Sequence, residues 1–130
     1  MKKDVEKIVF KYVPDDRTIP IIVEGDHDIR ALTRAGINNE IIKINIGLPL
    51  NEFCEIISRN HKNVVILTDF DATGKKLMER IKELLNGYGV HTDVRLWNFL
   101  RRYYNIKSVE DLPWFIETHK EQSSKKEQQG

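Results

Sequence analysis

Apolar residues along this chain come in two alternating patterns. Short, mostly apolar blocks run from Ile19 to Val23, from Ile41 to Ile46 and from Asn63 to Thr68, each closed by turn-forming residues. Runs of that length, rich in Ile and Val, predict strands covered on both faces, as in a parallel sheet. Between them the apolar positions recur at helical spacing. Leu50, Phe53, Ile56 and Ile57 share one face, and Leu77, Ile81, Leu84 and Leu85 share another. A helix is predicted from Asp26 to about Ala35, closed by Gly36, and one from about Thr73 to Asn86, closed by Gly87. A short amphipathic helix over 4–12 precedes Pro14-Asp15-Asp16, which breaks it. Val90 to Leu96 reads as a fourth, more polar strand, Trp97 to Leu100 is unassigned, and a final helix is expected over 108–118.

Strand and helix alternating in this order predict an α/β fold with three layers, a mainly parallel sheet of about four strands flanked by helices. One domain over 1–118, with its core at 19–95, is the expected organisation. Residues 119–130 are polar, contain no aliphatic side chain and are expected to be disordered. No apolar stretch approaches the ~20 residues that cross a bilayer, and Met1-Lys2-Lys3 leads into Asp4 and Glu6 rather than a signal-peptide core. A cytoplasmic protein with no membrane partner is therefore expected. The single cysteine, Cys54, excludes an internal disulfide and a multi-cysteine zinc site, and reads as a small buried hydrophobe. With 21 basic against 20 acidic residues, the chain is no general coat for nucleic acid, although a local basic surface is compatible with that balance.

Chemistry concentrates where two of the strands end. Ile21-Ile22-Val23 leads into Glu24-Gly25-Asp26, and Val64-Val65-Ile66-Leu67-Thr68 leads into Asp69-Phe70-Asp71. Ligands of open parallel sheets collect at the carboxyl ends of the strands, so Glu24, Asp69 and Asp71 are predicted to meet at one edge. Carboxylates gathered there repel one another, and Mg²⁺ or a similar hard cation is their natural occupant. Asp69 and Asp71 are spaced so that both side chains point one way if the extended backbone continues. Ala72-Thr73-Gly74 then turns into a helix whose amino end offers N–H groups to a phosphate.

The pairing of Val23-Glu24-Gly25 with Asp69-Phe70-Asp71-Ala72-Thr73-Gly74 resembles the Toprim domain of topoisomerases, bacterial primases, OLD-type nucleases and small ribonucleases that mature 5S ribosomal RNA. The span from Ile21 to Ala35 is most similar to the small ribonucleases and to stand-alone archaeal members. The resemblance covers roughly 19–95 and implies a metal site of Glu24, Asp69 and Asp71, with the glutamate also a general acid or base. It implies Mg²⁺, as one ion or two and replaceable by Mn²⁺, with Asp26 the candidate for a second ion. Asp28 reads first as a partner of the helix dipole. Lys75, Lys76 and Arg80 are candidates for flanking phosphates, or else form a solvated helix face. His27 is either a proton shuttle or an exposed first-turn residue. The activity implied is metal-dependent phosphodiester hydrolysis of RNA or DNA. The alternative is a non-catalytic module that binds metal and nucleic acid within a ribonucleoprotein or repair assembly.

Asp69-Phe70-Asp71-Ala72-Thr73 also matches the Asp-x-Asp-x-Thr signature of haloacid-dehalogenase phosphatases, in which the first aspartate is a nucleophile. Those enzymes place it on their first strand, whereas two strands precede it here. A dinucleotide fold is disfavoured, since no Gly-x-Gly-x-x-Gly follows a strand. Near the carboxyl end, Arg95, Arg101, Arg102, Tyr103 and Tyr104 form either a basic and aromatic patch or a packed helix with snorkelling arginines. Trp97, Phe99, Trp114 and Phe115 either fill the core or form a homodimer face.

Overall fold

The computed structural model describes residues 5–118; the tail expected to be disordered lies outside them. Four short strands, β1 (Ile21–Val23), β2 (Ile41–Lys43), β3 (Asn63–Ile66) and β4 (His91–Asp93), form one sheet in the order β2-β1-β3-β4, and every pairing is parallel. The chain enters at β1, steps outward to β2 and returns to β3 on the other side. The order therefore reverses between β1 and β3, the position at which such sheets open a crevice beyond their strand ends.

The helices are α1 (Val5–Tyr12), α2 (Asp26–Arg34), α3 (Leu50–Asn60), α4 (Ala72–Gly87) and α5 (Arg95–Tyr103). A 3-10 turn, Val109–Asp111, leads into α6 over 112–118. β1 and residues 64–67 are almost wholly shielded, which is why these blocks read as continuous apolar runs rather than alternating ones. Ile57 of α3 and Met78, Ile81 and Leu85 of α4 pack into the same core as Leu96, Trp97 and Leu100 of α5. Cys54 is buried in it, and burial pushes its thiol up to about 11.

β1 begins at Ile21 rather than Ile19 and β3 ends at Ile66 rather than Thr68, and two strand ends differ by more. β2 was expected to reach Ile46 and stops at Lys43, although Ile44 and Asn45 still donate to the carbonyls of Val23 and Glu24. Ile46 then turns back to bond the Ile44 carbonyl, which breaks the ladder. β4 ends at Asp93 rather than Leu96, because the Asp93 carboxylate accepts from the backbone N–H of Arg95 and from its guanidinium. That local bond turns the chain into α5, and the unassigned segment around Trp97 becomes its buried face. Trp97 is thereby a core residue, while Trp114 stays 68% exposed.

Candidate functional site

The register of β1 and β3 places the acids. Successive β3 donors reach β1 acceptors two residues apart: Val65 N to the Pro20 carbonyl, then Leu67 N to the Ile22 carbonyl. The next donor, Asp69 N, meets Glu24 Oε2 at 2.7 Å instead of a main-chain oxygen. The Glu24 carbonyl is taken by Asn45 N of the other neighbour. The glutamate side chain is thus the last rung of the sheet, held at the crevice between β1 and β3. A buried N–H without this acceptor would cost about 1–3 kcal/mol.

Glu24 is half-buried beside Asp69. Burial pushes its carboxyl up to about 7; the Asp69 N–H opposes this, and the charges of Asp69 and Asp28 reinforce it. Asp28 is the residue that sequence reasoning undervalued. It does stand in the first turn of α2, but its Oδ2 accepts from Gly25 N at 3.1 Å and it is only 7% exposed. Burial raises its carboxyl, and the charges of Asp69 and Glu110 add to the effect. The signal for it was the second acid three residues after Gly25, in a capping-box position.

Asp69 is fixed from the carboxyl-terminal side of the chain. Its Oδ1 accepts from Val109 N at 3.1 Å, and its carbonyl accepts from the Trp97 indole at 3.2 Å. The next residue is held in the same way: Phe70 N donates to the Lys107 carbonyl, and Arg101 Nε donates to the Phe70 carbonyl. Sequence reasoning did not find these supports: Val109 and Lys107 contribute backbone groups, which leave no pattern of side-chain types, and nothing local ties the Trp97 and Arg101 side chains to a distant strand end. Asp71 keeps an extended backbone, but the chain bends at Phe70 before it. It caps α4, its Oδ1 accepting from Gly74 N at 2.7 Å, and it lies exposed.

Gly74 is explained by contact. A Cβ there would sit 1.9 Å from the Asp69 carbonyl oxygen, so the first turn of α4 can lie on the strand end only without a side chain. The hydroxyl of Thr68, fully buried, donates to the Gly74 carbonyl at 2.7 Å and closes the same loop.

The other predicted residues lie farther out. Asp26 is exposed and paired with Lys43 at 2.8 Å, and that hydrogen bond and charge hold its carboxyl below the usual carboxylate range. His27 is exposed, and its Nδ1 accepts from Arg30 at 2.8 Å. Lys75, Lys76 and Arg80 are exposed on α4; Lys75 lies 4.0 Å from Glu79 and Arg80 3.4 Å from Glu83. Beside Glu24 an open cleft of about 420 Å³ runs between the β2–α3 loop and α4, lined by Ile44, Asn45, Gly47, Leu48 and Leu77.

A family model described as Toprim-like matches residues 21–105, which takes in Glu24, Asp28, Asp69, Asp71 and Gly74. The chain belongs to the Toprim-like family. The UPF0292 protein of Thermoplasma volcanium is 42% identical over 103 residues, 79% of this chain and 87% of its own length. That of Thermococcus kodakarensis is 43% identical over 94 residues, 71% of this chain and 69% of its own. A solved structure of an Aquifex aeolicus protein superposes at a TM-score of 0.72 with 25% identity, over 85% of this chain and 99% of that one. Toprim domains generally bind divalent metals and process nucleic acid.

Three carboxylates near the ends of β1 and β3 fit such a cation in chemistry. Glu24, Asp28 and Asp69 offer hard carboxylate oxygens, and each gives one oxygen to a backbone N–H, leaving the second for a cation or a proton. The raised carboxyls of Glu24 and Asp28 mark a place where positive charge would be stabilising. In the arrangement described, among the described residues, no three such side chains converge closely enough to hold an ion. No helix among the described residues is long and apolar enough to cross a membrane.

Proposed function

We infer that this chain is a metal-dependent phosphodiesterase acting on RNA or DNA, with Glu24, Asp69 and Asp71 as its working carboxylates. The observation that supports it most directly is Glu24, a half-buried carboxyl that titrates near 7 at the strand-order reversal of a Toprim-like sheet. General acid–base groups work best with a pKa near the operating pH. Protonated, Glu24 is suited to give a proton to a leaving oxygen; ionised, it is suited to take one from water.

Glu24, Asp69 and Asp71 would hold Mg²⁺, or Mn²⁺ in its place, with Asp28 behind them and Asp26 available to a second ion once released from Lys43. When bound, Mg²⁺ supplies Lewis-acid polarisation of a phosphoryl oxygen and a lowered pKa for a coordinated water. The protein's part is preorganisation: Asp69 is fixed by Val109, Asp71 by the α4 cap and Glu24 by the Asp69 N–H. Lys75, Lys76 and Arg80 would meet flanking phosphates. The exposed ion pairs of Lys75 and Arg80 are worth about 0–1 kcal/mol each and give way to a polyanion.

A second reading is a non-catalytic module binding metal and nucleic acid in a ribonucleoprotein or as a homodimer; among the described residues the carboxylates do not form a converged triad. Incubating end-labelled structured RNA, single-stranded DNA and duplex DNA with Mg²⁺, Mn²⁺ or EDTA separates the two. The expected result is metal-dependent cleavage that falls by about 100-fold or more in Glu24→Gln and Asp71→Asn. Intact substrate with folded, metal-binding protein would decide for the module.

A further inference from the structure

Helix α5 carries three arginines and no acid between Arg95 and Tyr103, in a chain whose formal net charge is only +1. Its inward side, Leu96, Trp97 and Leu100, is buried. Outward, Phe99 lies 5.9 Å from Tyr12, 4.9 Å from Tyr103 and 5.8 Å from Tyr104, which in turn meets Phe115 edge-on at 5.2 Å. Cations cover this row: Arg95 lies 5.4 Å from the Tyr12 centroid and Arg102 lies 5.7 Å from that of Tyr103.

Structural packing accounts for only part of this surface. Arg101 is engaged, bonding the Phe70 carbonyl and lying 5.5 Å over Trp97. Arg102 and Tyr103 touch each other, and Tyr103 touches Phe99, but both stay exposed, Tyr103 at 63%, and among the described residues neither takes part in a hydrogen bond or ion pair. An exposed ring with a cation above it has the composition of a base-stacking site.

We propose that this face of α5, centred on Tyr103 and Arg102, is a stacking platform for single-stranded nucleic acid. The proposal rests on the nucleic-acid reading above and names how the strand is held. Charge selects the occupant. A second copy of the chain would set arginines against arginines, whereas a phosphate backbone is complementary to them.

The test is fluorescence anisotropy in EDTA, where no cleavage occurs, with labelled oligo(dT) and oligo(U) of about 20 nucleotides and a duplex of equal length. Tyr103→Ala is expected to weaken binding of both single strands by about 5- to 100-fold, with Tyr103→Phe close to wild type. Arg102→Ala is expected to lower the salt slope of single-strand binding by about 0.7. Duplex binding should change little. Both side chains are exposed, and thermal melts check that the variants fold. Unchanged single-strand affinity in Tyr103→Ala, or an equal loss for duplex, overturns the platform. If metal-dependent cleavage persists in that case, the nuclease reading survives it; absence of both binding and cleavage in the wild type defeats both. Sedimentation showing a dimer that Tyr103→Ala dissolves would overturn the platform in favour of a second copy.

Discussion

Replacing Glu24 by glutamine should strengthen the metal-free fold while removing its chemistry. The carboxyl titrates at about 7 in the folded protein against an ordinary 4.5, so folding favours its protonated form. Between those pH values the folded state binds more protons than the unfolded chain, and stability falls as pH rises through the window. At about 1.36 kcal/mol per pH unit the full gap approaches ~3.4 kcal/mol above pH 7. Glu24 is half exposed, and solvent screening reduces this to about 1–2 kcal/mol. Glutamine keeps an oxygen for the Asp69 N–H and carries no charge to bury. Urea unfolding of both proteins in EDTA, at half-unit steps from pH 5 to 8, reads the difference directly. The two should nearly coincide at pH 5, and Glu24→Gln should lead by about 1–2 kcal/mol at pH 8. Mg²⁺ should then stabilise the wild type, by about 2.7 kcal/mol at a hundred times its Kd, and the variant much less. A difference that stays flat with pH, or a variant weaker at pH 8, would refute the account of Glu24 as a strained acid.

Two further changes probe the loop between β3 and α4. Helix propensity alone would have Gly74→Ala stabilise α4 by about 1 kcal/mol. The clash with the Asp69 carbonyl should instead make it destabilising by about 2–4 kcal/mol, visible as a lowered urea midpoint. Asp71→Ser should keep most of the cap and cost a few tenths of a kcal/mol, and Asp71→Ala should cost about 1 kcal/mol. Equal loss of metal-dependent cleavage in both would separate the ligand role from the cap, whereas cleavage that tracks the melting temperature would assign Asp71 to the helix alone.

The apolar blocks were legible because β1 and β3 are covered on both faces, and the position of Glu24, Asp69 and Asp71 at strand ends followed from them. The part each acid plays was less visible. Whether Asp71 extends a strand or caps a helix depends on where the backbone turns, and Gly74 decides that by a contact between segments no local pattern records. Asp28 looked like a dipole partner because burial comes from α2 meeting the 3-10 turn at Val109–Asp111, far along the chain. Helix α5 was read in part as strand because Val94, Leu96 and their polar neighbours alternate, until the side chain of Asp93 bends the chain. The basic and aromatic residues of α5 were noted in the sequence, but only the structure separates Arg101, which bonds the Phe70 carbonyl, from Arg102, which lies exposed over Tyr103.

The bond from Val109 to Asp69 gives the protein a boundary of its own. The family match ends at residue 105, yet Lys107 and Val109, the groups that hold Phe70 and Asp69, come after it. A fragment cut where the family ends would carry every acid and lack the hand that steadies two of them. During synthesis the same is true of the growing chain: the acids emerge early, and the site is completed only when the 3-10 turn at Val109–Asp111 closes over it.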